Sequence, residues 1–414
     1  MSSATALFEP LRSWLSSESL QSFVSAHHHE IIALQKDAPV GSALQVLGEK
    51  RVLSVPVLDE EGEYLGAFSV GDGMRVLMQE LDAQLGKSWF DRLGQLTAAE
   101  LQAVGASMCA KKVSNVTHPG DLWLKGDSKT TVLTVIKEGF QVLESKGHHR
   151  IYVVDPAKAH SITVSGSTVV INIKPGSAKP EASGLRPTDI VSQLDVVKLL
   201  SEHKDKLELV QDKTLEELEI FTGSVFTIHA SAPALEAFRY MAVDHKSCLG
   251  IVDNTGKLIG NVSVGDLRFL RAQNYGLLLS PVAEFVATVW GKGPSQEEVL
   301  AGTRVPGAAE GRWADVLKET ALTTLKPSST FGALLELMAS QNLHRIYIVD
   351  EDGKPVSIVT LTDVLREVIK PEPPVHRFQR MGTNDLPEED EDEEDDDDED
   401  DEEDEEEEKA EEAK

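Results

Sequence analysis

The sequence predicts an α+β fold in which four tandem βαββα units pack as two pairs and a disordered acidic tail follows. Three observations predict it: a fourfold internal repeat, a body of ordinary apolar content and a run of acidic residues at the C terminus. The chain has 414 residues, of which 41% are hydrophobic, so its body is too long for one small core.

The repeat is an apolar run ending in Asp, a short turn, a second apolar run and then Ser/Thr-x-x-Asp. The two acids lie 13 residues apart in repeats one, three and four, but 40 apart in repeat two. The 27 extra residues, between about Ala157 and Leu185, contain two β-rich runs around Ser-Gly-Ser. They predict a hairpin on the surface rather than in the sheet core. The acid pairs are Asp59 and Asp72, Asp155 and Asp195, Asp253 and Asp266, and Asp350 and Asp363.

Local patterns predict the same elements in each repeat. Apolar residues spaced three and four apart in FGALLELMASQ and PALEAFRYMAV predict an amphipathic helix before a buried strand. Turns such as DNTGK and DEDGK lead to a second strand, and LRFLRAQ and VLREVIK predict a closing helix. A single unit cannot bury the apolar faces of both its sheet and its helices, so we expect the units to pack in pairs. The predicted segments are an N-terminal extension (1–24), repeat one (25–89), a helical linker (90–126), repeat two (127–205, with the hairpin near 158–185), a connector (206–221), repeat three (222–285), a helical linker (286–320), repeat four (321–372) and the tail (373–414).

The net charge of −30 lies mainly in the tail, where residues 381–414 contain 24 Asp or Glu and two Lys. A tail with so few apolar side chains is predicted to be disordered. The remaining body is mildly acidic, which disfavours nucleic-acid binding because that requires many cations at the phosphates. No apolar stretch is long enough for a membrane span, so no membrane partner is predicted.

Several classes of site are not supported. Cys109 and Cys248 are far apart, which argues against a disulfide framework or a zinc site and fits a reducing compartment. Three adjacent histidines, 27–29, cannot all face one ion and are interpreted as surface residues. No metal, cofactor or catalytic residue is predicted, since no nucleophile elbow, P-loop or HExxH motif occurs. The protein is therefore interpreted as a non-enzyme, cytoplasmic or nuclear, with an organelle transit peptide left open.

Strand, turn, strand and Ser/Thr-x-x-Asp at a helix start resemble the CBS (cystathionine-β-synthase) domain. The segments HRIYVVDP and HRIYIVDEDGKPVSIVTLTDVLREVI resemble the second and fourth CBS repeats of the gamma subunit of AMP-activated protein kinase and its plant and fungal relatives. The resemblance spans about residues 25–372. It implies two CBS pairs in a disk whose clefts bind AMP, ADP or ATP as regulatory ligands.

The resemblance also implies which residues bind. The acids of Ser/Thr-x-x-Asp would hold the ribose hydroxyls, and two His-Arg pairs would face the phosphates. Repeats one and three have Leu53-Ser54 and Ser247-Cys248 at the positions of those pairs, with Arg51 and Lys246 offset. The candidate ligand-binding residues are Asp72, Asp195, Asp266, Asp363, Ser69, Ser192, Ser263, Thr360, His149, Arg150, His344 and Arg345.

Simpler interpretations of the same residues stay open. A hydroxyl followed three residues later by an acid is also a capping box, which satisfies free N–H groups at a helix start. Each His-Arg pair is also compatible with a solvated strand entrance, although Arg suits bidentate phosphate contact. Four tryptophans in or beside the linkers are expected to pack in the core or at pair interfaces, namely Trp89, Trp123, Trp290 and Trp313.

Three functions remain in competition at this point. The first is an adenine-nucleotide-sensing gamma-like regulatory subunit, with kinase catalytic and beta subunits as partners. The second is a stand-alone CBS sensor of adenosyl ligands that regulates another protein. The third is a scaffold whose acidic tail recruits basic proteins.

Overall fold

The computed structural model describes residues 7–20, 30–117, 122–124, 130–144, 148–154, 158–177, 187–220, 225–291, 295–300, 311–317 and 322–370. The predicted tail, the three histidines at 27–29 and Asp155 lie outside these ranges. Within them, no helix is both long and apolar enough to cross a bilayer. The N-terminal extension contains helix α1, Glu9–Ser17, whose Leu11 and Leu15 are fully buried.

Repeat one has the predicted βαββα order. Its first strand pairs in parallel with the second, which pairs antiparallel with the third. In the turn between them, Asp59 Oδ1 accepts from the backbone N–H of Glu63 at 2.7 Å, and Gly62 adopts a φ of 79°. The linker that follows repeat one contains a further helix. The elements are β1 Glu30–Gln35, α2 Val40–Glu49, β2 Ser54–Leu58, β3 Tyr64–Ser69, α3 Val70–Leu85 and α4 Ala98–Ala110.

Repeat two has the same pairing pattern, one parallel and one antiparallel neighbour for its central strand. Its insertion forms the predicted hairpin, but its predicted place on the surface outside the sheet is wrong. One hairpin strand pairs antiparallel with β1 of repeat one, and Val169 and Ile171 are buried there. The run of β-branched residues from Thr168 to Ile171 suits a strand, and every second side chain in it is buried, which explains this insertion into the sheet. The elements are β4 Leu122–Leu124, α5 Val132–Thr134, β5 Arg150–Val154, β6 Lys158–Ser165, β7 Thr168–Ser177, β8 Asp189–Ser192 and α6 Gln193–Glu202.

Repeat three departs from the prediction at its closing helix. The segment after its third strand forms two short 3-10 helices, Val264–Phe269 and Ala272–Leu279, instead of one α-helix. Leu270 is extended between them, and the Arg271 guanidinium donates to the carbonyls of Arg268 and Leu270. The elements are β9 Thr227–His229, α7 Ala234–Val243, β10 Cys248–Val252 and β11 Leu258–Ser263, followed in the linker by α8 Val282–Val289, α9 Gln296–Leu300 and α10 Trp313–Leu317.

Repeat four follows the predicted order throughout. Its central strand pairs in parallel with the first strand and antiparallel with the third. Asp350 Oδ1 accepts from the backbone N–H groups of Asp352 and Lys354, which is the same turn as in repeat one. The elements are β12 Thr324–Leu325, α11 Phe331–Gln341, β13 Arg345–Val349, β14 Pro355–Thr360 and α12 Leu361–Ile369.

The repeats pack in two directions, which confirms the expected pairing. Sheet residues join repeat one to two and repeat three to four, as in the small clusters around Ile31 and around Tyr347. Helices of repeats one and three share one large core, and helices of repeats two and four share another with α1. Arg12 of α1 donates hydrogen bonds to the carbonyls of Val368 and Lys370 at 3.3 and 3.1 Å, which joins α1 to the end of repeat four. The four helix starts consequently approach one central region.

Candidate functional site

Each Ser/Thr-x-x-Asp motif begins a helix, and each forms the capping box that the sequence allowed. In every copy, Oδ2 of the acid accepts from the backbone N–H and the hydroxyl of the capping residue, at 2.7–3.2 Å. The capping interpretation is therefore confirmed at all four positions, which leaves one carboxylate oxygen per motif for other contacts. The pairs are Ser69 and Asp72, Ser192 and Asp195, Ser263 and Asp266, and Thr360 and Asp363.

The remaining oxygen, Oδ1, has a different environment in each repeat. It accepts from an arginine three residues later in repeats one and four, at 2.9 and 2.8 Å, and from an indole N–H at 3.0 Å in repeat three. In repeat two, Oδ1 has no hydrogen-bond or ion-pair partner within the described ranges. The donors are Arg75 for Asp72, Arg366 for Asp363 and Trp290 for Asp266.

A cavity of about 560 Å³ lies where the four helix starts meet. The four capping hydroxyl residues line it, and so do both predicted His-Arg pairs. The four acids are not among the lining residues, because their caps turn them toward their own helix starts. Among the described residues that line the cavity, none is Asp or Glu. Its basic lining residues are His148, His149, Arg150, His245, Lys246, His344 and Arg345.

Each arginine of a His-Arg pair reaches across to the neighbouring repeat. Arg150 of repeat two donates to the hydroxyl of Ser54 in repeat one. Arg345 of repeat four donates to the hydroxyl of Ser247 in repeat three at 3.3 Å. The Nε of Arg345 is buried and has no hydrogen-bond partner among the described residues. The structure thus brings the His-Arg pairs of repeats two and four into one site. The Arg345 Nε–H remains there as a hydrogen-bond donor without a partner among the described residues.

The described lining of the cavity includes two arginines and a lysine but no acidic side chain. Burial, followed by the nearby Arg150 and Arg345, lowers the pKa of His344 to about 4. Burial and the same two arginines also lower the pKa of His149. Burial lowers the pKa of Arg150 too, since a buried cation lacks its water. Both histidines are therefore neutral at pH 7. An anion would relieve this concentration of positive charge.

Some lining residues were not predicted from the sequence. Tyr152 closes the cavity beside Ser54, and Gln193 connects repeat two to repeat four by accepting from Thr362 at 2.9 Å. Lys246, which the sequence shows offset from the His-Arg position, also lines the cavity. Only the relative placement of the repeats brings these residues in, so no spacing signal could have identified them.

The tryptophan expectation is only partly met. Trp89 and Trp313 are buried in the core, as predicted. Trp290 is 49% exposed, and its contribution is the hydrogen bond to Asp266. The side chain of Trp123 lies outside the described residues. The polar end of an indole seeks an acceptor even where its ring packs, which is why Trp290 departs from the core prediction.

Comparison with known proteins identifies CBS domains in this chain. The CBS domain family matches residues 24–79, 217–272 and 314–370, which correspond to repeats one, three and four. The assignment of repeat two as a fourth CBS domain stays a prediction, which its strand order supports.

Two curated relatives that match over most of the length are named as gamma-like regulatory subunits of a plant. The SNF1-related protein kinase regulatory subunit gamma-like PV42b of Arabidopsis thaliana is 24% identical over 367 residues, which is 82% of this chain and 91% of that protein. PV42a of the same plant is 22% identical over 371 residues, 83% and 93% of the two chains. The crystal structure of protein MJ1225 from Methanocaldococcus jannaschii covers 84% of this chain and 99% of its own, with a TM-score of 0.52 at 13% identity. That structure shares the fold.

Proposed function

From the premise that this chain is a protein with CBS domains, we propose that it is a gamma-like regulatory subunit of a SNF1-related or AMP-activated protein kinase complex. In this proposal it senses AMP, ADP or ATP between its paired repeats and has no catalytic activity of its own. The names of PV42b and PV42a support the kinase assignment, and the cavity supports the ligand class.

One observation carries the ligand class: two His-Arg pairs from different repeats line one cavity without an acidic lining residue among the described positions. A phosphate suits Arg150 and Arg345 because guanidinium groups match its oxygens bidentately. A cap carboxylate beside the cavity is suited to the vicinal hydroxyls of a ribose, so a nucleotide satisfies both parts of the site.

Ligand occupancy would be sensed through the contacts between repeats. Arg150 bonds Ser54 and Arg345 bonds Ser247, so a phosphate that competes for either arginine changes a contact across a pair. A ligand shifts the protein between two states only by its difference in affinity for them. Kinase subunits that bind one arrangement of the repeats would then respond to nucleotide.

Titration calorimetry with AMP, ADP, ATP, adenosine and S-adenosylmethionine tests the ligand assignment. We expect the nucleotides to bind more tightly than adenosine, with an affinity that falls as salt rises. The sulfonium cation of S-adenosylmethionine opposes the basic cavity, so tightest binding by that ligand would favour a stand-alone adenosyl sensor instead.

Affinity purification from native cells tests the partners. We expect kinase catalytic and beta subunits to co-purify with the full chain. Recovery of basic proteins alone, lost when the chain is truncated at Gly382, would favour the acidic-tailed scaffold and contradict the kinase assignment.

A further inference from the structure

A hydrogen bond in the wall of the cavity joins the helix starts of repeats two and four. The hydroxyl of Thr362, the second residue of α12, donates to Oε1 of Gln193, the first residue of α6, at 2.9 Å. Both residues line the cavity. We propose that this bond is a clasp that holds the two His-Arg pairs close enough to share one phosphate, so that it sets the preference of the site among ligands with different numbers of phosphates. The inference rests on the proposed function and names the positioning residues behind it.

Gln193 is fixed to the segment that carries the His-Arg pair of its own repeat. Its Nε2 donates to the carbonyl of His148 at 3.0 Å, and its backbone N–H donates to the carbonyl of His149 at 3.1 Å. The residue is only 2% exposed. Because both the oxygen and the nitrogen of this buried amide have partners, the side chain is held in one orientation. A movement of the Gln193 side chain therefore moves the His-Arg pair of repeat two with it.

The other end of the clasp is fixed in a similar way. Leu361, which precedes Thr362, donates its backbone N–H to the carbonyl of His344 at 3.2 Å. A short path of hydrogen bonds thus runs from His149 through Gln193, Thr362 and Leu361 to His344. The distance between the two His-Arg pairs consequently depends on the distance between the starts of α6 and α12.

The clasp acts against the charges of the cavity. Burial, and then the charges of Arg150 and Arg345, lower the pKa of His344, so both guanidinium groups lie close to one imidazole. Two like charges at such a site repel each other and favour separation of the repeats that carry them. The bond of Arg150 to Ser54 joins repeats one and two, and that of Arg345 to Ser247 joins repeats three and four. Neither of these bonds opposes a separation of repeat two from repeat four, whereas the clasp does.

The opposite wall of the cavity cannot form an equivalent bond. Val70 of repeat one and Gly265 of repeat three stand at the positions that Gln193 and Thr362 occupy in repeats two and four. Neither valine nor glycine has a side-chain donor or acceptor. The same kind of helix start therefore forms without this bond. The clasp occurs on the side of the cavity that contributes the two His-Arg pairs, which is where a positioning role requires it.

One phosphate and three phosphates make different demands on the separation of the arginines. A single phosphate contacts both guanidinium groups only while these lie close together. A triphosphate chain is longer and contacts both across a wider gap. Loss of the clasp lets the repulsion between Arg150 and Arg345 widen that gap, so we expect it to weaken binding of AMP more than binding of ATP.

Calorimetric titration of AMP and ATP into Thr362→Val tests this expectation. The substitution keeps the shape of the side chain and removes the donor, while Gln193 keeps its bond to the carbonyl of His148. We expect AMP to bind roughly three- to tenfold more weakly, which is the effect of one hydrogen bond, and ATP to lose less than about twofold. The matched control is Thr323→Val, which breaks a bond between the same two atom types, Thr323 Oγ1 and Gln341 Oε1 at 2.7 Å, on the exposed surface of repeat four. It should change neither affinity.

Two further variants separate positioning from a general structural effect. Thr362→Ser retains the hydroxyl and should restore the parental ratio of AMP to ATP affinity. Gln193→Leu removes the acceptor, and its combination with Thr362→Val should be no weaker for AMP than Gln193→Leu alone, because the two residues act through one bond. If Gln193→Leu does not fold, Thr362→Val and Thr362→Ser decide the question.

The outcomes for the inference and for the proposed function are distinct. Equal weakening of AMP and ATP by Thr362→Val, or an unchanged ratio, would overturn the clasp while the nucleotide assignment stands. If the parent protein binds neither AMP nor ATP, the proposed function fails and the inference fails with it.

Discussion

The hydroxyl of Tyr152 in repeat two lies 3.2 Å from the hydroxyl of Ser54 in repeat one. The same relationship recurs in the other pair, where the Tyr347 hydroxyl lies 3.6 Å from Cys248 Sγ and donates to Asn261 at 2.7 Å. Each tyrosine follows the arginine of a His-Arg pair by two residues and therefore points from the same strand face. The side-chain contacts between the sheets of paired repeats and the placement of the arginines in the cavity therefore depend on the same two strands.

The arginines are expected to carry phosphate recognition. Arg150→Ala or Arg345→Ala should weaken AMP binding by roughly ten- to a hundredfold, about 1.5–3 kcal/mol, because each removes a charge-assisted contact. Adenosine, which lacks phosphate, should lose far less. Calorimetry with both ligands separates the effects, and Arg92→Ala, which removes an arginine paired with Glu100 outside the cavity, is the control.

The double variant Arg150→Ala/Arg345→Ala gives the decisive result for that prediction. If it binds AMP as tightly as the parent, the His-Arg pairs are strand entrances without a ligand role. Arg345→Lys keeps a cation but loses the planar fork, so an intermediate affinity is expected.

Stability should fall in mild acid because of His344. Its pKa is about 4 in the folded protein, below its ordinary value of 6.5, so the unfolded chain binds the proton more readily. The free energy of unfolding should decrease as pH falls from about 6.5 to about 4, by up to roughly 3 kcal/mol from this group. Chemical denaturation at several pH values gives the free energy of unfolding of the parent and of His344→Gln. The difference between the two proteins at each pH isolates His344, because the other groups titrate in both.

A bound anion reverses part of this effect. Phosphate near His344 favours the imidazolium form, so binding of AMP at pH 6 should take up protons from the buffer. Calorimetry in two buffers of different ionisation enthalpy detects that uptake. Identical pH profiles for the parent and His344→Gln would show that this histidine does not titrate in the window.

The order of elements within each repeat could be predicted because it depends on local signals. Amphipathic spacing predicted α7 and α11, and Asp/Gly turns predicted the hairpins that Asp253 and Asp350 close. Hydroxyl and acid positions likewise identified the four helix starts. The convergence of the two His-Arg pairs was anticipated only through the resemblance, since no local spacing relates Arg150 to Arg345.

The remaining features depend on contacts between distant segments. The β-branched runs of the hairpin fit a surface ribbon as well as a strand added to another sheet, and only the edge that β1 offers decides between these two arrangements. Trp290 and Asp266 are 24 residues apart and meet because the linker returns to its own repeat. The α1 helix joins the second core through Phe8, which packs edge-on against Phe331. None of these contacts between distant segments produces a periodic pattern in the sequence.

The hairpin should contribute to stability, because its strand β7 completes the sheet of repeat one. Ile171 is fully buried opposite Ile31, so Ile171→Ala should cost about 2–4 kcal/mol by leaving a cavity. Val164 on the neighbouring strand is 52% exposed, and Val164→Ala should cost less than about 0.5 kcal/mol. Urea denaturation measures both. Equal, small effects would indicate that the hairpin does not pack on β1 in solution.

The packing of α4 against repeat three should depend on Gly105. A methyl group at that position would lie 2.9 Å from Cβ of Tyr275 and closer still to its ring, and Tyr275 is fully buried and unable to retreat. Gly105→Ala should therefore destabilise the protein by about 1–3 kcal/mol, although alanine is the better helix former by about 1 kcal/mol. Gly94→Ala is the matched control, since a methyl group there meets no described atom within 4 Å. Denaturant midpoints measured for both variants test the contact: a Gly105→Ala protein as stable as the parent would mean that the helix and the tyrosine ring are farther apart in solution. Restoration of stability by Tyr275→Leu in the Gly105→Ala background would identify the ring as the source of the strain.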